Sequence, residues 1–331
     1  MSGQPMLLLL IRYFLAFYAG FLIVIGSLGN IFIIFGMRSN LRIRIPRLIL
    51  VILAGSDTAV LWVAVLRYWI EITFDIDIRT SSNLLCVFHT FLTYITTDFA
   101  VAVLCTLSVE RLVSMRYPLR SKVIDSWQKV CFCAGVSVFV IAMKHAPLLW
   151  ITHLGNGTVG CSYNKDWCNL AMCPHTWIEF ITHSLLPYVL LIPTNISLYI
   201  IIRKHSEEAF RNSGSFNSVR VSRFSRISER SIRNRGMVSS KILICLSILH
   251  FCLSFPGLLY IEFLGVFEIR YFPSDSEESK LLYNALFLLT STNNALNFFT
   301  VLYFSNEFRN TISQMLKLKW FCHGESGEPL W

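Results

Sequence analysis

Among the charged residues inside otherwise apolar stretches of the chain are Asp57, Asp98, Glu110 and Arg111. A lone charge in hydrocarbon costs roughly 2.5–3.5 kcal/mol on insertion scales, so such residues are kept for function or held by partners. Asp57 has polar company on offer in Asn30, Asn293 and Asn297. The bland alternative is a protonated, hydrogen-bonded structural acid. Glu110 and Arg111 are neighbours and can form a local ion pair, although an interfacial Arg can also simply snorkel. Three cysteines, Cys161, Cys168 and Cys173, crowd one polar loop. Spacing alone leaves their pairing open. No CxxC pair joins a His at zinc spacing, and the histidines in the apolar stretches lack the spaced carboxylates or thiols of a metal or nucleophile site. Neither an enzyme nor a cofactor is expected.

The elements that hold these residues follow from composition. Only 15% of the 331 residues are charged, against about 25% in soluble domains, and mean hydropathy is +0.55. Too little polar surface remains to cover a water-soluble fold. Apolar stretches near 11–36, 46–70, 84–113, 130–150, 176–203, 238–266 and 281–304 are long enough to span a bilayer. Each must be helical, because hydrocarbon offers backbone N–H and C=O groups no partner. Residues 1–10 remain as a short outer tail, 204–237 as a basic loop and 305–331 as a tail. The first span is expected to serve as its own insertion signal.

The formal net charge of +9 sits in short connections between the apolar runs. This is a topological signature, not one of nucleic-acid binding. Arg38, Arg42, Arg44 and Arg47 fill the first connection; Arg116, Arg120, Lys122 and Lys129 fill the third; nine basic residues fill the fifth. The alternate connections carry Glu71, Asp75 and Asp77, or Glu268, Asp275, Glu277 and Glu278. Basic loops stay in the cytoplasm, which puts the N-terminus outside and the C-terminus inside. The Ser- and Arg-rich 203–240 stretch reads as a flexible loop able to extend its flanking helices. Asn306–Trp320 carries Phe308, Ile312, Met315 and Leu316 on one side and suits a helix lying on the inner leaflet. Cys322 beyond it is a candidate for palmitoylation. Residues 150–161 pattern as a β-hairpin turning at Asn156-Gly157, with Cys161 on its second strand. Asn156-Gly157-Thr158 is also a glycosylation sequon.

Ordered motifs over nearly the whole chain resemble the rhodopsin-like (class A) G protein-coupled receptors. They are Gly29-Asn30, Leu53-Ala54-Gly55-Ser56-Asp57, Cys86 at the start of the third span, Glu110-Arg111-Leu112 at its end and Arg116-Tyr117-Pro118-Leu119. Pro187, Pro256, Asn293, Asn297 and Phe308-Arg309 complete the set. In style the chain is similar to invertebrate neuropeptide (FMRFamide-like) receptors. Departures are plain. The fourth-span Trp is absent, Ser254 stands at the sixth-span Trp position, and Asn297-Phe298-Phe299-Thr300-Val301 lacks the seventh-span Pro and Tyr. Tyr303 is the candidate substitute.

The resemblance implies an all-α, seven-transmembrane bundle with an eighth amphipathic helix. It implies a disulfide from Cys86 to the second outer loop, with Cys161 the hairpin candidate and Cys168 and Cys173 as competitors. It implies a sodium ion or a proton among Asp57, Asn30, Asn293 and Asn297, although Ala100 replaces one oxygen ligand. Arg111 would be held by Glu110 and released to a heterotrimeric G protein. Thr93 stands where amine receptors carry Asp, and Ser291 where opsins carry Lys, which argues against monoamine and retinal ligands. Ligand-binding candidates are Arg67, His89, Thr93, Tyr94, Thr97, Asp98, Glu179, His183, Tyr260 and Tyr283. Acidic outer residues such as Glu179 and Glu262 would suit a cationic peptide. The expected function is a plasma-membrane receptor linking an extracellular neuropeptide to a G protein, with membrane lipid as its solvent. The alternatives are a small-molecule chemosensory receptor, a non-signalling receptor or, against the lack of paired broken helices and repeats, a transporter or channel.

Overall fold

The computed structural model describes residues 6–38, 45–117, 127–155, 161–163, 174–214, 223–263 and 276–324. Among these lie seven helices long and apolar enough to cross a membrane. They are α1 (Met6–Met37), α2 (Arg47–Phe74), α3 (Asn83–Arg116), α4 (Gln128–Ile151), α5 (Pro174–Glu208), α6 (Met237–Ile261) and α7 (Glu277–Phe304). An eighth helix, α8, covers Asn306–Gly324. Antiparallel strands β1 (Thr152–Leu154) and β2 (Cys161–Tyr163) form the hairpin, with His153 opposite Ser162.

The distribution of side chains is that of a protein solvated by lipid. Phe14, Phe17, Phe132, Phe139, Met143 and Trp150 point outward, while Asn30, Asp57, Asp98, Arg111, His145 and Asn297 are buried. Water would reverse this arrangement; hydrocarbon requires it. Two apolar layers hold the bundle. One joins Leu22, Leu61, Val65, Leu288 and Ala295. The other, at the α8 end, joins Ile33, Leu53, Leu107, Leu246, Val301, Phe308 and Ile312. The amphipathic pattern of α8 is thus spent on the bundle as well as on the membrane, and Arg47 pairs with Glu307 at 2.7 Å to fix it.

Helix starts follow local chemistry. The Ser82 hydroxyl accepts from Leu85 N–H to cap α3, and Ser276 does the same for Ser279 at α7. Asp75 ends α2 in the left-handed region at φ 61°, a conformation that short Asp tolerates. Three spans carry a single wide turn: Leu61–Val65, Phe180–Leu185 and Leu258–Phe263. Each inserts a residue into the ladder and re-aims the side chains beyond it. Pro256 lies just before the last of these. Helix α7 contains no Pro and runs unbroken from Glu277 to Phe304.

Some boundaries differ from the sequence expectation. The first helix starts at Met6, inside the stretch read as an outer tail, because Met6–Leu10 simply continues its apolar run. The 204–237 segment is less of a loop than its composition suggests. The helix of α5 continues to Gly214, and that of α6 begins at Arg223. Cys322 falls within α8 and not beyond it. Asn156, Cys168 and Cys173 lie outside the described residues.

Close helix approach at α1 sets a packing test. A Cβ on Gly29 would lie 2.7 Å from Phe298 Cβ, an atom tied to the α7 backbone that cannot swing aside. Gly29→Ala should therefore destabilise by about 1–3 kcal/mol through overpacking, read as a lower melting temperature in lipid nanodiscs. Gly55→Ala, with open space around it, should show no such drop.

Candidate functional site

A cavity of about 1040 Å³ opens between the spans and descends from the hairpin to the middle of the bundle. Its mouth carries Arg79, Thr152, Ser162 and Lys280; its walls carry Arg67, His89, Thr93, Tyr94, Thr97, Glu179, His183 and Tyr283. Tyr188, His250 and Ser254 form a lower shelf, and Asp57, Asn293, Asn294 and Asn297 line the floor. The disulfide Cys86–Cys161 ties α3 to strand β2, with Cα atoms 5.6 Å apart. Asn83 Oδ1 accepts from Leu154 N–H at 2.8 Å, so the same helix end also holds β1. Together they keep the hairpin as a lip at the cavity mouth.

The mouth is an ion-pair network. Arg67 donates to Glu71 at 2.6 Å and to Asp77 at 3.0 Å, and Asp77 also pairs with Arg79 at 2.7 Å. The Arg67 guanidinium lies 4.4 Å from the Tyr68 ring centroid, a cation–π contact. Burial alone would raise the Asp77 carboxyl. The hydrogen bonds and charges of Arg79 and Arg67 outweigh it and hold Asp77 well below the ordinary carboxylate range.

A denser polar cluster fills the junction of α3, α4 and α5. Lys144 Nζ stands 2.5 Å from Asp98 Oδ2 and 2.7 Å from Glu179 Oε2, and donates to Thr182 Oγ1 at 2.7 Å. His183 Nδ1 lies 2.5 Å from Asp98 Oδ1, and His145 Nε2 lies 2.9 Å from Asp98 Oδ2. His145 Nδ1 faces His175 Nε2 at 3.2 Å. Lys144, His145 and His175 were not among the residues singled out by sequence. The expectation that the embedded histidines lack carboxylates is corrected here, because their carboxylates arrive from other helices. One local signal existed: His175, Glu179 and His183 recur at steps of four, one helical face.

At the floor, Asn297 Nδ2 donates to Asp57 Oδ2. Asn30 reaches the Asn294 carbonyl instead, at 3.3 Å. The side-chain oxygens of Asn30 and Asn293 accept no hydrogen bond among the described residues. Spare buried acceptors beside a carboxylate fit a hard cation. At the other end of α3, Arg111 Nε lies 2.9 Å from Glu110 Oε2, and Glu110 Oε1 accepts from Ser114 at 2.7 Å. Arg111 is only 7% exposed, yet its Nη2 finds no hydrogen-bond partner among the described residues.

Three sequence candidates sit elsewhere than expected. Asp98 does not line the cavity; Lys144 and the imidazoles draw it behind the wall. Tyr260 also lies off the lining, beyond Pro256 in the wide turn that re-aims the end of α6. Tyr303 is 74% exposed and stacks edge-on with Phe304, so it does not enter the bundle to replace the missing Tyr. Glu179 does not face the cavity as a lone acid, since Lys144 stands 2.7 Å from it and is shared with Asp98.

A family model described as 7 transmembrane receptor (rhodopsin family) matches residues 29–305. Among curated proteins none matches the chain.

Two outcomes test this geometry. Lys144→Met should strip both carboxylates of their cation and cost about 3–5 kcal/mol, seen as a lower melting temperature. Adding Asp98→Asn should restore part of that loss. The second concerns Asp77, whose depressed carboxyl stabilises the fold above the unfolded value near 3.9 and loses that contribution as pH falls. The gap in melting temperature between the parent and Asp77→Asn should be constant above about pH 5 and shrink below about pH 4.

Proposed function

Given that the chain belongs to the rhodopsin family of 7 transmembrane receptors, we propose that its cavity takes the end of an extracellular peptide and that α3 relays the event to a heterotrimeric G protein. The cavity carries this reading. Its volume of about 1040 Å³ stands at the top of the range of about 300–1,000 Å³ usual for small-molecule sites, and its mouth lies open beside a rigid hairpin lip. The proposed setting is the plasma membrane, with the hairpin and N-terminus outside and the basic connections within.

The wall chemistry favours a peptide with mixed polarity over a simple cation. The described acids on the wall, Glu71 and Glu179, already face Arg67 and Lys144. A ligand must therefore compete for these pairs or use the hydroxyls of Thr93, Thr97 and Tyr283 and the rings of Tyr94 and Tyr188. Exchange of an internal pair for a ligand pair is one way for binding to favour one arrangement of the helices, and without such differential contact nothing shifts.

The relay residue is Arg111. Its ion pair with Glu110 is local, and its unused Nη2 donor is buried close to the basic connections. Release of Arg111 from Glu110 would free the guanidinium for carbonyls at a helix end of the G protein. Asp57, with Asn293 and Asn30 supplying the spare oxygens, is the proposed seat of a sodium ion or of a proton. Either would supply the counter-charge that keeps the floor stable in hydrocarbon.

A library screen with a G protein dissociation readout tests the proposal. A peptide should act on the parent, Arg111→Ala should abolish the response at unchanged surface expression, and Glu110→Gln should raise basal signal. A response to metabolites alone would assign the cavity to a small-molecule ligand. A parent-level response in Arg111→Ala would remove that residue from the relay.

A further inference from the structure

Behind the cavity wall, three imidazoles, two carboxylates and one ammonium meet where α3, α4 and α5 cross. His145 is fully buried; Asp98, His175 and Glu179 are nearly so. One ligand atom each from His145, His175 and Glu179 lie within 4.8 Å of one another, and so do ligand atoms from Asp98, Glu179 and His183. We infer that His145, His175 and Glu179 form a binding site for a zinc-class divalent cation, with Asp98 orienting His145 from behind.

Lys144 decides between the two trios. Its Nζ lies between the carboxylates of Asp98 and Glu179, at 2.5 and 2.7 Å. The centre of the Asp98–Glu179–His183 set is therefore taken by an ammonium. In the His145–His175–Glu179 set Lys144 pairs with Glu179 alone, through Oε2, and the other carboxylate oxygen of Glu179 can serve a second partner. His145 Nδ1 and His175 Nε2 are 3.2 Å apart, close to the edge of about 3.3 Å expected for a tetrahedral ion with bonds of about 2.0 Å.

The remaining chemistry points the same way. Two imidazoles and a carboxylate suit zinc and its neighbours, not the all-oxygen shells of calcium or magnesium. Metal-bound imidazoles commonly give their other N–H to a carboxylate, which fixes tautomer and ring direction. His145 has that arrangement, with Nε2 2.9 Å from Asp98 Oδ2 while Nδ1 faces His175. Tyr94 packs on both rings, 5.1 Å from the His145 centroid and 5.7 Å from that of His175. Asp98 and Glu179 carry two negative charges against the one positive charge of Lys144, so the cluster retains attraction for a cation. The rival occupant is a proton on one imidazole. Glu179 lines the cavity, which gives the ion a path from outside. Three protein ligands leave one position open for water.

The test uses the full-length receptor in nanodiscs, carried on a tag without histidine and stripped with a chelator. Added Zn2+ should raise the melting temperature of the parent, whereas Mg2+ should not. Substituting Co2+ should bring up the visible absorption of a tetrahedral centre. His175→Ala should lose at least tenfold in Zn2+ affinity, and Asp98→Asn 10- to 100-fold. His183→Ala should lose much less Zn2+ affinity than His175→Ala. No Zn2+ response in the parent, or an unchanged one in His175→Ala, would overturn the site. Equal loss in His183→Ala would overturn it in favour of the other trio. Should His175→Ala not fold, Glu179→Gln and the parent's Co2+ spectrum decide the matter, and absence of that absorption sinks the inference.

Discussion

Hydrocarbon cannot stabilise a charge, and the arrangement of this bundle follows from that single constraint. Several described ions inside the spans have an internal answer. Asp98 and Glu179 share Lys144; Arg67 is enclosed by Glu71 and Asp77; Arg111 leans on its neighbour Glu110. Breaking one partner leaves an uncompensated ion where solvent cannot repair it. The apolar surface meanwhile has no such demand and is turned out to the lipid. Helix packing here is thus ordered from the polar groups outward, the reverse of a soluble core.

Helix existence was legible in the sequence because length and hydropathy are local properties. The same holds for the α8 pattern, the hairpin and the Cys86–Cys161 link, which rest on short motifs placed in order. Asp57 was expected to find an Asn, and Asn297 supplies it. The cluster around Asp98 was not legible. Lys144 and His145 sit 46 and 47 residues along the chain from Asp98, and periodicity carries no information about which faces of three helices will meet. Glu179 does stand on the cavity wall, as expected. Its charge was visible in the sequence, but the lysine that pairs with it was not. Tyr303 shows the converse error: a plausible residue two positions late faces another way, since two residues turn a helix by about 200°.

The cavity joins regions that would otherwise be separate. Its lining passes from the disulfide-tethered hairpin, past Tyr188, His250 and Ser254, to the carboxylate of Asp57. The Ser254 hydroxyl lies 3.4 Å from His250 Nδ1. A small polar side chain there leaves the shaft open where a large ring would divide it. The cavity therefore runs without a dividing ring from mouth to floor.

Helix α7 is one continuous helix from Glu277 to Phe304 with no proline in it. A continuous ladder resists bending, whereas a proline followed by a wide turn yields easily. By that criterion compliance falls in α5, at Phe180–Leu185 with Pro187 and Pro193, and in α6, at Pro256 with Leu258–Phe263. Bending of the bundle would then fall on those rods and not on α7.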